Sequence, residues 1–331
     1  MVVADIGVLK DQSAESIISP RTPRAIYFSD SVYVGFIPDA TLLEIATIDP
    51  KAGVVFYTLQ QAPGARPRLV TNTDCVQCHS TAATFGIPGL FLRSVFTRPD
   101  GQMAPNTRSF ITAHSSPFPE RWGGWYVTGQ FAGAPHMGNA VLRQGDDNMS
   151  FDRGGDILAS AGVGFDRERY PSAESDVVAL LVLNHQVQMH NLIGQLRAAS
   201  NHGVPLEATV EALVRYGLFA DEAPLPGPVT GSSTFRQDFE RLGPRDVAGR
   251  SLRQFDLTTR LFRFPASFLF YSDDFRDLPL NARTAAIGRL DAVLAGRDRS
   301  EVFSHLTDQD RAATRAILIE TLPIFAAQVQ P

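Results

Sequence analysis

A chain of 331 residues, 44% hydrophobic and 20% charged, is long enough to bury one large core or two closely packed ones. Its formal charge of -5, with Lys10 and Lys51 the only lysines and no polybasic run, argues against a charge-driven nucleic-acid partner. The longest apolar run, residues 177–183, falls far short of the roughly 18–20 residues needed to cross a bilayer, so no membrane span is expected.

In chain order, residues 1–20 offer few apolar anchors and read as an arm. From Pro20 to Arg143 the pattern is β-rich, with β-branched and aromatic runs at 25–29, 32–36, 42–48 and 54–59 separated by turn residues. Asp49-Pro50-Lys51-Ala52-Gly53 has the chemistry of a hairpin turn, proline early and glycine late. Further strands are expected at 90–96, 109–112 and 125–129, with Pro99-Asp100-Gly101 as a turn.

The second half changes period. Residues 175–200 form the strongest helical pattern, with Val178, Leu181, His185, Met189, Leu192 and Leu196 on one stripe. Asn201-His202-Gly203 ends it, and Pro205 opens a second helix running to Phe219. A Pro/Gly/Ser-rich connector follows over 222–233. More helices are expected at 235–242, 245–255, 260–270, 282–295 and 308–327, with Asn281 and Thr307 as N-caps of the last two. The expected fold is α+β: a β-rich region at 20–145, a helical region at 170–330, and one composite unit formed by both.

Cys75-Val76-Gln77-Cys78-His79 carries the chemistry, and no other cysteine exists. C-x-x-C-H is the attachment pattern of c-type haem, in which each thiol bonds one vinyl group and the imidazole ligates the iron. A thioredoxin-like pair would need a βαβ setting and explains no histidine. A structural zinc site needs a fourth ligand, and no second Cys or His pair follows at short spacing. The motif therefore predicts one covalent haem c at the junction of the β-rich and helical parts, with His79 as proximal ligand.

The distal iron ligand is sought, in order, at His136, Met189, His190 and His185. His136 lies in a glycine-rich loop where backbone could approach a flat porphyrin. The others lie on the long helix, where His185 and Met189 share a face and His190 is rotated by roughly 100° from Met189. Arg93, Arg108 and Arg121 are candidates for the haem propionates, since guanidinium matches carboxylate geometry. Trp125, in Arg121-Trp122-Gly123-Gly124-Trp125-Tyr126, is a candidate for packing on the haem.

Several of these stretches together are similar to a known group. Ile18-Ser19-Pro20-Arg21 with Ala25-Ile26-Tyr27-Phe28, Thr73-Asp74 with the C-x-x-C-H motif, 121–129, His185-Gln186 with Met189-His190-Asn191, and 255–265 resemble a largely uncharacterised group of bacterial cytochrome c-like proteins. The resemblance runs from Ile18 to Ala295 and implies a single covalent haem c in an exported protein. It assigns no catalytic roles. The first ten residues show neither a charged n-region nor an apolar h-region. Because haem c is attached outside the cytoplasmic membrane, the expected location is periplasmic, with the export signal not visible in this sequence.

The expected activity is electron transfer in the bacterial cell envelope, with a redox partner protein. The alternative is a haem oxidoreductase of the peroxidase kind acting on a small-molecule oxidant, or a haem-based sensor, either with an open or displaceable distal site.

Overall fold

The computed structural model describes residues 2–5, 19, 21–60, 66–98, 101–132, 135–140 and 165–329. Its strands are β1 (Val2–Asp5), β2 (Arg24–Phe28), β3 (Val32–Phe36), β4 (Leu42–Asp49), β5 (Gly53–Gln60), β6 (Arg68–Thr71), β7 (Leu92–Val95), β8 (Ser109–Thr112), β9 (Trp125–Tyr126), β10 (Gln130–Phe131) and β11 (Val229–Thr230). Its helices are α1 (Cys75–His79), α2 (Val177–Asn201), α3 (Glu207–Gly217), α4 (Phe235–Arg241), α5 (Asp273–Arg276), α6 (Leu280–Leu294), α7 (Asp308–Thr321) and α8 (Pro323–Val329). The α+β class, strands first and helices second, is as the sequence predicts.

Seven antiparallel strands form the main sheet in the order β6-β5-β4-β3-β2-β1-β9. The β4–β5 hairpin turns where expected. Asp49 Oδ1 accepts the Lys51 and Ala52 N–H groups at 2.8 and 2.7 Å, and Gly53 takes the left-handed conformation at φ +78°. Tyr33, Ala46 and Phe56 align across β3, β4 and β5 and are all buried, which marks the core face. The N-terminal arm is corrected in part, because Val2–Asp5 pairs with both β2 and β9.

Helix α2 lies against that face. Gln186 Nε2 donates to the Ser29 carbonyl at 2.6 Å and to the Tyr33 hydroxyl at 2.7 Å. Every residue from Val177 to Val187 is buried, so α2 is covered all round rather than along the single stripe the periodicity suggested. Asp176 caps it, with Oδ1 accepting from Val178 N–H and Oδ2 from the Ser233 N–H and hydroxyl. One continuous buried apolar cluster includes Tyr33 and Phe56 from the sheet, Leu180 from α2, and Leu318 and Phe325 from the last helices.

Two expected helices do not form. Residues 245–255 turn instead, because Asp246 draws the Ala248 and Arg250 N–H groups onto its carboxylate at 3.1 and 2.7 Å. Residues 260–270 form no α-helix: Asp256 accepts from Thr258, Thr259 and Arg260 N–H at 2.8, 2.7 and 3.3 Å in a second turn, and only Phe268–Tyr271 coil, as a short 3-10 helix. Aspartate side chains compete with the helical hydrogen bond, and here they win. The turn brings Phe255 against Phe262, 5.2 Å between centroids, in a cluster with Phe239 and Phe268.

Thr307 caps α7 as expected, in a reciprocal box with Asp310. Asn281 does not cap α6, which starts one residue earlier behind Pro279; its side chain accepts from the Ser200 hydroxyl at 2.9 Å instead. Pro323 divides the last predicted helix in two. Among the described residues no single helix is long and apolar enough to cross a membrane; α7 and α8 pass by length and composition only as a pair bent by 111°.

Candidate functional site

The C-x-x-C-H motif forms the one-turn helix α1 at the end of edge strand β6. Asn72 N–H donates to the Phe56 carbonyl at 2.8 Å, which ties the entry to β5, and Asn72 Oδ1 accepts from Asp74 N–H at 3.0 Å. Cys75 and Cys78, three apart in a helical turn, lie along one face and are not joined in a disulfide. Cys78 is exposed and Cys75 half-buried against the core. The surrounding sheet is antiparallel, so the βαβ setting of a thioredoxin-like pair is absent among the described residues.

The loop after α1 folds back on it. Thr81 and Thr84 make a reciprocal capping box, and Phe85 and Gly86 reverse the chain at φ +58° and +74°. Thr84 Oγ1 bonds the Ile87 carbonyl at 2.7 Å. The loop returns at Gly89, whose N–H donates to the His79 carbonyl at 2.8 Å and whose carbonyl accepts from His79 Nδ1 at 3.1 Å. A carbonyl only accepts, so the ring proton sits on Nδ1 and Nε2 keeps its lone pair. Phe56 and Phe91 flank the imidazole at 4.9 and 5.4 Å between centroids. Burial lowers the His79 pKa, outweighing the opposite pull of the Gly89 carbonyl. The ring is therefore held neutral, oriented and ready to ligate through Nε2.

The loop is fastened to the helical half by Asn191 of α2. Its Oδ1 accepts from Leu90 N–H at 3.1 Å and its Nδ2 donates to the Leu90 carbonyl at 2.6 Å. Sequence reasoning missed Gly89, Leu90, Phe56 and Phe91 as members of this site. The one available signal was an asparagine within an otherwise buried helical stretch.

Arg93 lies on β7, two residues beyond Phe91, which precedes the strand. Its Nη2 donates to Ser109 Oγ at 3.2 Å, and it pairs with the exposed Ile111 of β8. Arg108 lies over the Phe110 ring at 5.9 Å. Arg121 is fully buried, stacks on Phe118 at 4.2 Å, and donates to the Ser116 and His114 carbonyls at 2.8 and 2.5 Å. Burial lowers its pKa to about 10. Trp125 is buried, its indole N–H donating to the Arg93 carbonyl at 2.8 Å.

Among the described residues, none of the four distal candidates hydrogen-bonds to His79 or stacks on its ring. His136 packs edge-on to Trp122 at 5.1 Å, and its Nδ1 accepts from Gly138 N–H at 3.0 Å, which puts the proton on Nε2. Burial alone drives its pKa down to about 4. His185 has both nitrogens engaged, Nδ1 with His114 Nδ1 at 2.8 Å and Nε2 with Ser267 Oγ at 2.7 Å. His190 also has both engaged, Nδ1 with Asp274 at 2.8 Å and Nε2 with the Asp30 carbonyl at 2.8 Å. Met189 is fully buried, its methyl group facing Gly217 of α3.

The motif's donor set fits haem c: two unlinked thiols on one helical turn, and a neutral imidazole whose Nε2 is bare. It does not fit zinc, since among the described residues no three His, Cys, Asp or Glu side chains gather to hold a metal ion. Exposed Val70 and Phe85 flank the motif in sequence, and Val70 lies opposite Thr58 on the Phe56 face of the sheet edge. Compared with protein-family models, curated proteins and solved structures, the chain matches none.

Proposed function

We propose that this chain is a c-type cytochrome carrying one covalent haem c on Cys75 and Cys78, with His79 as proximal iron ligand, and that it transfers electrons in the bacterial cell envelope. One observation carries the reading. The Gly89 carbonyl fixes the His79 proton on Nδ1, leaving Nε2 bare beside two unlinked thiols. The sequence resemblance to bacterial cytochrome c-like proteins supports it.

Haem c, once attached, supplies a one-electron couple at its iron. The chain's own residues do the rest. His79 presents Nε2; Val70 and Phe85 supply exposed apolar surface for a porphyrin to cover; Arg93 is the nearest cation in sequence to Phe91 and suits a propionate. The haem would lie where the sheet edge meets the loop held by α2, at the junction of the two halves. The location is periplasmic or otherwise exported, and the electron is exchanged with a redox partner protein.

The full chain made with a haem-maturation system should give a covalent c-type pyridine haemochrome. The Cys75→Ala, Cys78→Ala double variant should lose it. A colourless wild-type product overturns the reading.

One observation favours a second reading, a haem oxidoreductase or sensor with an open distal site. His185 and His190 spend both ring nitrogens inside the protein, and Met189 is sealed against α3. Ferric protein that is high-spin, five-coordinate and quick to bind cyanide would support it. Six-coordinate low-spin spectra in both oxidation states would support electron transfer.

A further inference from the structure

We propose that Asn191 is the positioning residue for His79: acting through Leu90 and Gly89, it makes the long helix α2 set the imidazole's tautomer and orientation. This rests on His79 being the axial ligand, because only then does its orientation bear on function.

The bonds form one continuous path. Asn191 grips Leu90 at two points, N–H to Oδ1 at 3.1 Å and carbonyl from Nδ2 at 2.6 Å. Leu90 follows Gly89, which meets His79 at two more, N–H to the His79 carbonyl at 2.8 Å and carbonyl to Nδ1 at 3.1 Å. Asn191 thus replaces a neighbouring strand for Leu90, using one donor and one acceptor. It is 1% exposed, so its own amide depends on these protein partners.

The path is also stiff. A Cβ on Gly89 would sit 2.5 Å from Asn191 Oδ1 and 2.8 Å from Thr84 Cβ, so glycine is what permits the close approach. Thr84, its hydroxyl proton on the Ile87 carbonyl at 2.7 Å, lies against the other side with Oγ1 3.3 Å from the His79 carbonyl. On α2, Asn191 Nδ2 also donates to Gln188 Oε1 at 3.3 Å, and neighbouring His190 is tied to Asp274 and to the Asp30 carbonyl. Movement of the loop against α2 is therefore resisted at both ends.

The chemistry dictates which replacements fail. Leucine keeps the volume but leaves the half-buried Leu90 N–H and carbonyl without their Asn191 partners. Aspartate keeps the acceptor for the N–H and sets a second acceptor against the carbonyl. In either variant the Gly89 carbonyl is no longer held in line with Nδ1.

The test reads the His79 tautomer by nitrogen–proton correlation spectroscopy on the full chain, prepared both with and without haem maturation. Haem-free wild type should show the Nδ1–H form predominating. Asn191→Leu should shift the tautomer ratio by about five- to tenfold toward the Nε2–H form, as loss of one net hydrogen bond implies, while circular dichroism stays native. A folded Asn191→Leu protein with an unchanged tautomer ratio overturns the proposal. Should that variant fail to fold, Asn191→Asp, which keeps the side-chain volume and one bond, carries the same test with the same two outcomes. The haem-free readout is independent of whether haem attaches. A colourless matured product therefore sinks the cytochrome reading, whereas the tautomer ratio decides the role of Asn191.

Discussion

The imidazoles of His114 and His185 meet Nδ1 to Nδ1 at 2.8 Å, their planes within 7° of each other. Both are buried, and Tyr216 and Phe219 stack on the pair, at 3.8 Å from His114 and 4.4 Å from His185 respectively. At that separation one nitrogen carries the proton and the other accepts it. The bond joins the loop after β8 to α2, and Ser267 extends it into the C-terminal half at 2.7 Å. His185→Phe keeps the stack but strands a polar atom of His114 and of Ser267. It should lower stability by about 1–3 kcal/mol in urea unfolding. The His114→Phe, His185→Phe double variant should lose less than the sum of the two singles, since neither partner is then left unpaired.

Acid should destabilise the fold through its neutral histidines. Burial holds His136 down at about 4 and His185 down at about 3, and it pushes His114 well below the ordinary value. The unfolded chain takes up these protons at about 6.5. Below that pH the unfolded state binds more protons, so stability rises with pH and falls as pH drops from about 6.5 toward the depressed values. His136→Phe, which preserves the edge-on contact to Trp122, should flatten the slope between about pH 6.5 and 4 by up to ~1.4 kcal/mol per pH unit. Denaturant midpoints at stepped pH measure it; an unchanged slope would contradict a neutral buried His136.

The pair His190–Asp274 has the opposite sign on its histidine. Burial pulls the His190 pKa down, but Asp274 and the Asp30 carbonyl more than reverse this and raise it. Burial pushes Asp274 up, and His190 with Arg197 more than reverses that and lowers it. The stability His190 contributes is complete below about 6.5 and is lost as pH rises through its raised pKa. The part from Asp274 is complete above about 3.9 and is lost as pH falls through its lowered pKa. Both are fully present between about pH 4 and 6.5. His190→Leu leaves a buried carboxylate uncompensated and should lower stability by about 3–5 kcal/mol in that window. The gap from wild type should narrow at alkaline pH, which unfolding at pH 5.5 and pH 9 compares.

Gly89→Ala tests the close approach at the motif. The added methyl would meet Asn191 Oδ1 and the Thr84 side chain at 2.5–2.9 Å. Overpacking of this kind costs about 1–3 kcal/mol. Thermal melting should show the loss, and the matured protein should carry less covalent haem per chain. A variant as stable as wild type would mean the loop yields easily.

Much of this protein was legible locally. Strands β2 to β5 follow from their β-branched and aromatic runs between turn residues, the β4–β5 turn from Asp49 and Gly53, and helix α2 from its periodic apolar stripe. Each depends on groups within a few positions of one another, where periodicity and side-chain chemistry act directly. The turns at Asp246 and Asp256 were local too, but helix-like spacing masked them: the phenylalanines that mimic an apolar stripe are spent on Phe239, Phe255, Phe262 and Phe268 packing together.

What the polar side chains of α2 do was decided only by the tertiary fold. His185, His190 and Asn191 look alike as histidine and asparagine on one helix, yet their partners are His114, Asp274 and Leu90, between 71 and 101 residues away. A buried polar group must find a partner wherever the fold brings one, and burial makes that choice binding. Two histidines that read as iron ligands are therefore committed within the protein. The asparagine beside them reaches His79 of the motif through the Gly89–Leu90 backbone.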